Sequence, residues 1–140
     1  MVKMQRWKSK LQVRGVIMKK VVKFGGSSLA NAEQFQKVGD ITRSDESRRY
    51  VVPSAPGKRF DDDIKVTDML YGCYDAASKG EDITEKINAI KARYYEIIKG
   101  LGLSLSLEEE FKKIDEDFRA QAGIQYAASR GEFLNGKIMA

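Results

Sequence analysis

Val21-Val22-Lys23-Phe24-Gly25-Gly26-Ser27-Ser28-Leu29-Ala30 joins a β-branched run to a lysine, two glycines and a polar, helix-starting segment. The pattern predicts a strand, a tight turn and a helix. Glycine permits positive φ and lets a backbone approach a ligand closely, so successive N–H groups after Phe24 can converge on phosphate oxygens at a helix N-terminus. Lys23 adds a mobile positive charge to such a cradle. The plainer alternative is an ordinary strand-to-helix turn with a solvent-facing lysine.

Working outward, residues 19–24 are expected to form a buried first strand. A helix from Leu29 to about Thr42 follows, with Leu29, Ala32, Phe35 and Val38 or Gly39 on its apolar face. Tyr50-Val51-Val52 reads as a second strand, which Pro53 and Pro56-Gly57 end in a loop. Strand, helix, strand is the βαβ pattern of a parallel sheet, and ligands of such sheets gather at the carboxyl ends of the strands, where Gly25-Gly26 and Ser54 fall. Phe60-Asp61-Asp62-Asp63 reads as an exposed insertion, with Asp63 capping a helix that begins near Ile64. Consecutive aspartates rarely converge on one ion, so no metal site is expected there.

From Asp82 to Lys99, Ile83, Ile87, Ile90, Tyr94 and Ile97 or Ile98 recur at helical spacing, and Gly100 and Gly102 end the run. Ser106-Leu107-Glu108-Glu109 offers a capping box to a helix reaching about Ala122, with Phe111, Ile114 and Phe118 on its apolar face. Both stripes are core, not cofactor boxes. The last segment, through Gly136-Lys137-Ile138-Met139-Ala140, is expected to lie in a helix begun near Glu132. No cap or closing strand follows, which points to a truncated chain. Gly131 to Ile138 nearly fits a Walker A spacing, yet Ile138 stands where a Ser or Thr must meet Mg²⁺, so the match is read as accidental.

Composition narrows the chemistry. The 140 residues suit one domain, and 42% hydrophobic with 32% charged residues is the balance of a soluble globular protein. Histidine is absent, which removes Ser-His-Asp and Cys-His catalysis and most zinc sites. Phosphoryl transfer survives that exclusion, because it depends on positioning and charge stabilisation. The single Cys73 suits a reducing cytoplasm. Of the net charge of +5, all is carried by Lys3, Arg6, Lys8, Lys10 and Arg14 in residues 1–17, which hold no acidic residue. Residues 18–140 are neutral, so the charge speaks about a basic N-terminal extension and gives no reason to expect a nucleic acid. For that extension, an upstream start or leader before Met18 and an organelle-targeting peptide both stay open. No run is long enough for a membrane span.

Three motifs in order carry a resemblance. Lys23-Phe24-Gly25-Gly26-Ser27-Ser28-Leu29-Ala30 resembles the N-terminal signature of the aspartate kinases, in the amino-acid kinase superfamily. Val51 to Lys58, followed by Lys65-Val66-Thr67-Asp68-Met69-Leu70, is similar to the family's second loop and the helix after it. Ser129-Arg130-Gly131-Glu132-Phe133-Leu134 resembles its third motif, a serine and a Gly-Glu pair opening a helix. The resemblance covers residues 18–140 and implies an α/β fold: the N-terminal part of an αβα sandwich with a parallel-rich sheet. It further implies transfer of the ATP γ-phosphoryl group to the β-carboxylate of L-aspartate, with Mg²⁺, in the cytoplasm, by a complete protein that is a homo-oligomer.

The same resemblance implies the roles of individual residues. Lys23 stabilises charge on the transferred group, and Gly25, Gly26, Ser27 and Ser54 hold the nucleotide phosphates. Ser54 also lies beside the substrate, Thr67 contacts it, and Glu132 binds its α-ammonium group. Helices like those of residues 82–122 cover the substrate in that family, so a lid is an alternative to a purely structural core. The C-terminal half of the kinase domain and the regulatory domains have no counterpart in these residues, which makes an inactive fragment the expectation. A partner-binding module and another member of the superfamily remain alternatives.

Overall fold

The structure, a computed structural model, describes residues 18–140; the basic extension of residues 1–17 lies outside them. Strand β1 (Lys20–Phe24) leads into a 3₁₀ turn (Gly26–Leu29) and helix α1 (Ala32–Arg43), and the chain returns as β2 (Arg48–Pro53). Four helices follow: α2 (Val66–Ser78), α3 (Thr84–Gly100), α4 (Glu108–Arg119) and α5 (Ile124–Met139). The two strands pair in parallel, Val21 beside Tyr50 and Lys23 beside Val52, which makes this the expected mixed α/β fold with a small parallel sheet.

One face of that sheet, with Phe24, packs toward the helices, and α1 and α5 both reach β2. The other face, with Val21, Lys23, Tyr50 and Val52, is exposed. The expectation of a buried first strand therefore fails: among the described residues β1 is covered on one side alone.

The helices supply most of the one core. Ile83, Ile87, Ile90, Tyr94, Ile97 and Ile98 of the α3 stripe are all buried, as are Phe111, Ile114 and Phe118 of α4. Edge-to-face pairs lock the aromatic residues, Tyr74 against Phe118 at 5.5 Å and Tyr94 against Phe111 at 5.9 Å between ring centroids. Cys73 lies in this core, where burial pushes its thiol up to about 11, so it is a packing residue and not a nucleophile.

Four local expectations are corrected. Helix α1 starts at Ala32, not Leu29, because Asn31 caps it by accepting from the Gln34 N–H at 2.9 Å, and residues 26–29 form the 3₁₀ turn instead. Helix α2 starts at Val66 without a side-chain cap, because the Asp63 carboxylate is taken by Arg59. The capping box before α4 does not form: buried Leu107 holds the N-cap position, Ser106 Oγ is a long 3.4 Å from the Glu108 N–H, and Tyr95 Oη accepts from the Leu107 N–H at 2.9 Å. Helix α5 starts at Ile124, well before Glu132, so Ser129-Arg130-Gly131-Glu132 runs mid-helix and does not open one. Gly131 would ordinarily weaken a helix interior, but here it is a packing requirement. A Cβ on it would lie 2.5 Å from Ala55 Cβ. The Walker-like stretch is continuous helix and cannot wrap a phosphate.

Candidate functional site

The turn after β1 and the loop after β2 meet backbone to backbone. The Gly57 N–H donates to the Gly26 carbonyl at 2.8 Å, and a Cβ on Gly57 would fall 2.6 Å from the Gly26 carbonyl carbon. Gly26 and Gly57 thus serve close approach between two loops and not positive φ, whereas Gly25, at φ −75°, would have open space for a Cβ. Above this junction opens a cleft of about 560 Å³, within the size range of small-molecule sites.

Three distant segments line the cleft. Gly26 and Ser27 come from the first turn of the 3₁₀ element, where a helix leaves its first N–H groups without internal partners. Ser54, Ala55, Pro56, Gly57 and Lys58 come from the loop after β2, and Lys65 and Thr67 from the start of α2. Glu132 enters from the middle of α5. Of the residues singled out from the sequence, Gly26, Ser27, Ser54, Thr67 and Glu132 are brought together here. Lys23 and Gly25 are not part of the lining: Lys23 stands exposed on the open sheet face, in the strand that leads to the turn.

Buried polar side chains fix the walls. From α5, Asn135, fully buried, donates to the Ser54 carbonyl at 2.7 Å. From α3, the Tyr94 hydroxyl donates to the Gly131 carbonyl at 2.9 Å, tying that helix to the one that carries Glu132, and burial pushes the phenol well above its ordinary value. Also from α3, Arg93 donates through NH1 to the Ile64 carbonyl and through NH2 to the Gly57 carbonyl, each at 2.8 Å. Asp63 lies between this guanidinium, at 3.4 Å, and that of Arg59, at 2.8 Å; the Arg59 hydrogen bonds hold its carboxyl well below the usual carboxylate range.

Asn135 and Arg93 were missed in the sequence, though a signal existed for each. Arg93 falls three residues after Ile90 and four before Ile97, on the apolar stripe. Asn135 stands four after Gly131 and three before Ile138 on the inward face of α5. Lys58 and Lys65 were quoted within the second motif but given no role, and they supply positive charge to the cleft opposite Glu132.

The donors fit anionic groups: turn amides, two hydroxyl-bearing serines and two lysines share one space with a single carboxylate. No group of three His, Cys, Asp or Glu side chains is placed to hold a metal among the described residues. No helix of the described residues is long and apolar enough to cross a membrane. A second groove, about 450 Å³ between α4 and α5, is lined by Glu110, Lys113, Tyr126, Arg130 and Phe133, and holds none of the expected site residues.

No protein-family model matches the sequence. Aspartokinase 3 of Bacillus subtilis (strain 168) is 38% identical over 129 residues, which span 86% of this chain and 28% of that protein. Among solved structures, the aspartate kinase of Clostridium acetobutylicum matches with a TM-score of 0.82 and 44% identity, over 86% of this chain and 28% of that one. Aspartokinase III of E. coli, in complex with aspartate and ADP, matches with a TM-score of 0.67 and 26% identity, over 85% of this chain and 27% of that one. The chain spans little more than a quarter of the length of these relatives. In sequence and in fold it corresponds to a part of the aspartate kinases.

Proposed function

We propose that residues 18–140 are the N-terminal portion of an aspartate kinase domain and carry half of its active site. In the proposed reaction a β-carboxylate oxygen of L-aspartate attacks the γ-phosphorus of ATP. One P–O bond forms as the bond to ADP breaks, giving 4-phospho-L-aspartate on the way to lysine, threonine and methionine in the cytoplasm. The nucleophile is already an anion, so no general base is required. That agrees with a chain lacking histidine.

The observation that carries the reading is the convergence of Gly26, Ser27, Ser54, Thr67 and Glu132, from three separate motifs, on one cleft at the carboxyl ends of two parallel strands. In it, the Gly26 and Ser27 amides and Ser54 hold the phosphates, and Gly25 and Lys23, which lie outside the lining, join the proposal through the first motif's resemblance alone. Lys23 stabilises charge on the group in flight, and Thr67 and Glu132 orient the substrate, Glu132 through the α-ammonium group. Mg²⁺ belongs to the same proposal as the counter-ion of the nucleotide. The cleft offers Glu132 as its one acidic lining residue, a poor fit to a metal cage built by these residues alone, and no step is assigned to the ion. Binding of the two ligands is the part of the reaction that the proposal assigns to residues 18–140.

Amide NMR spectra of the chain titrated with L-aspartate and with Mg-ATP test this. Shifts clustered at residues 26–27, 54–58, 65–67 and 132 are the expected result. Shifts confined to the groove between α4 and α5, or none from a folded chain, would refute the site. The open sheet face with Val21, Tyr50 and Val52 favours a second reading, a partner-binding module or an oligomer contact. Concentration-dependent sedimentation that a Val52→Lys change abolishes would support it.

A further inference from the structure

The loop from Ser54 to Lys65 contributes more than half of the cleft lining, yet its twelve residues contain no helix or strand. A loop of that length needs something to hold one conformation. On the cleft side it is joined to the 3₁₀ turn by the Gly57 N–H, and across its base the Val66 N–H donates to the Pro56 carbonyl at 3.0 Å.

On the far side one residue reaches both ends of the loop. Arg93, 4% exposed, places one guanidinium nitrogen on the carbonyl of Gly57, near the start of the loop, and another on that of Ile64, near its end. Asp63, inside the same loop, completes the pairing at 3.4 Å, and Arg59 ties Asp63 outward to Glu96 of α3 at 2.9 Å. The Arg93 Nε is buried without a partner, so the side chain is not optimised for its own hydrogen bonding. Its placed donors all go to the loop. A planar fork spans two carbonyls in fixed directions, which a lysine ammonium cannot do.

We propose that Arg93 is a positioning residue: it clamps both ends of the Ser54–Lys65 loop, so that Gly57 is held against the Gly26 turn and the cleft exists before ligand arrives. This rests on the site reading above, but its first test does not need a ligand. Hydrogen exchange is measured on the unaltered chain and on Arg93→Lys, which keeps the charge and loses the fork. The Gly57 and Val66 amides report the loop, and those of Phe111 to Phe118 report the helical core.

In Arg93→Lys, exchange in the loop should rise about tenfold or more, with α4 unchanged, and affinity for L-aspartate should fall by a similar factor. Equal acceleration in loop and α4 would show a merely structural residue and overturn the proposal, as would no change in either. A loosened loop in a protein whose unaltered form binds no aspartate would leave the clamp standing and count against the kinase site alone. If Arg93→Lys does not fold, Asp63→Asn removes the carboxylate between the two guanidinium groups, and the same local pattern is expected at smaller amplitude. A uniform change, or none, overturns the proposal there too.

Discussion

Phe118, Phe111 and Tyr94 in the helical body are at most 2% exposed, whereas Val21, Tyr50 and Val52 on the sheet leave 68%, 53% and 44% of their surface to solvent. The four helices after β2 supply most of the core, which Leu29, Phe35 and Val38 also enter. The two strands have a covered face and an open one. The candidate cleft lies along the border between these regions, and the residues around it are not held alike. Ser54, Gly57, Ile64 and Gly131 are pinned by side chains of α3 and α5, while Lys23 sits on the open face with strand pairing as its support. The Thr67 and Glu132 side of the proposed site is thus held by the helical body, and Lys23, to which the proposal gives the charge on the transferred group, sits on the less supported element.

The contrast can be broken most directly in the core. Phe118→Ala should cost about 3–5 kcal/mol in urea denaturation, since the ring packs between Tyr74 and Tyr126 with no room for solvent. A loss below about 1 kcal/mol would mean the helical body is not the stable part. Next comes the border itself. Gly131→Ala puts a methyl group 2.5 Å from Ala55 Cβ, and about 1–3 kcal/mol of overpacking is expected, together with weaker aspartate binding because α5 must move from the Ser54 loop.

A smaller effect is confined to acid. The Asp63 carboxyl is held below its ordinary 3.8 by Arg59, so the stability it contributes is complete above that value and is lost as pH falls below it. Asp63→Asn should flatten the dependence of the urea midpoint on pH below about 4 and leave its form near neutrality unchanged. Smallest is the open face: Val21→Ala should change stability by less than about 0.5 kcal/mol. A loss comparable to that of Phe118→Ala would show that this face is covered in solution.

The same border separates what was legible in the sequence from what was not. The stripes of α3 and α4 were read correctly because each buried position recurs at helical spacing and owes its burial to its own helix face. Strand, turn, second strand and the three motifs were equally readable, and they named five residues of the cleft. The start of α5 was misread because Ser129-Arg130-Gly131 has turn composition, and Gly131 is tolerated in the helix by a contact with Ala55, 76 positions earlier, that no local pattern encodes. Arg93 and Asn135 were overlooked for a related reason. A cation or an amide at an inward helical position is costly in isolation, and what offsets the cost here is hydrogen bonding to carbonyls of a distant loop, with Arg93 Nε and Asn135 Oδ1 left without partners.

The central claim is that the cleft with Glu132 at one wall is a preformed half-site for L-aspartate. Isothermal calorimetry of the chain with L-aspartate, alone and with Mg-ATP, tests it most directly when repeated on Glu132→Ala, an exposed position whose loss should leave the fold intact. Saturable binding by the unaltered chain that weakens at least about tenfold in Glu132→Ala is the expected result, as loss of a charge-assisted contact requires. Binding of equal strength in both proteins, or none by a cooperatively folded chain, would contradict it.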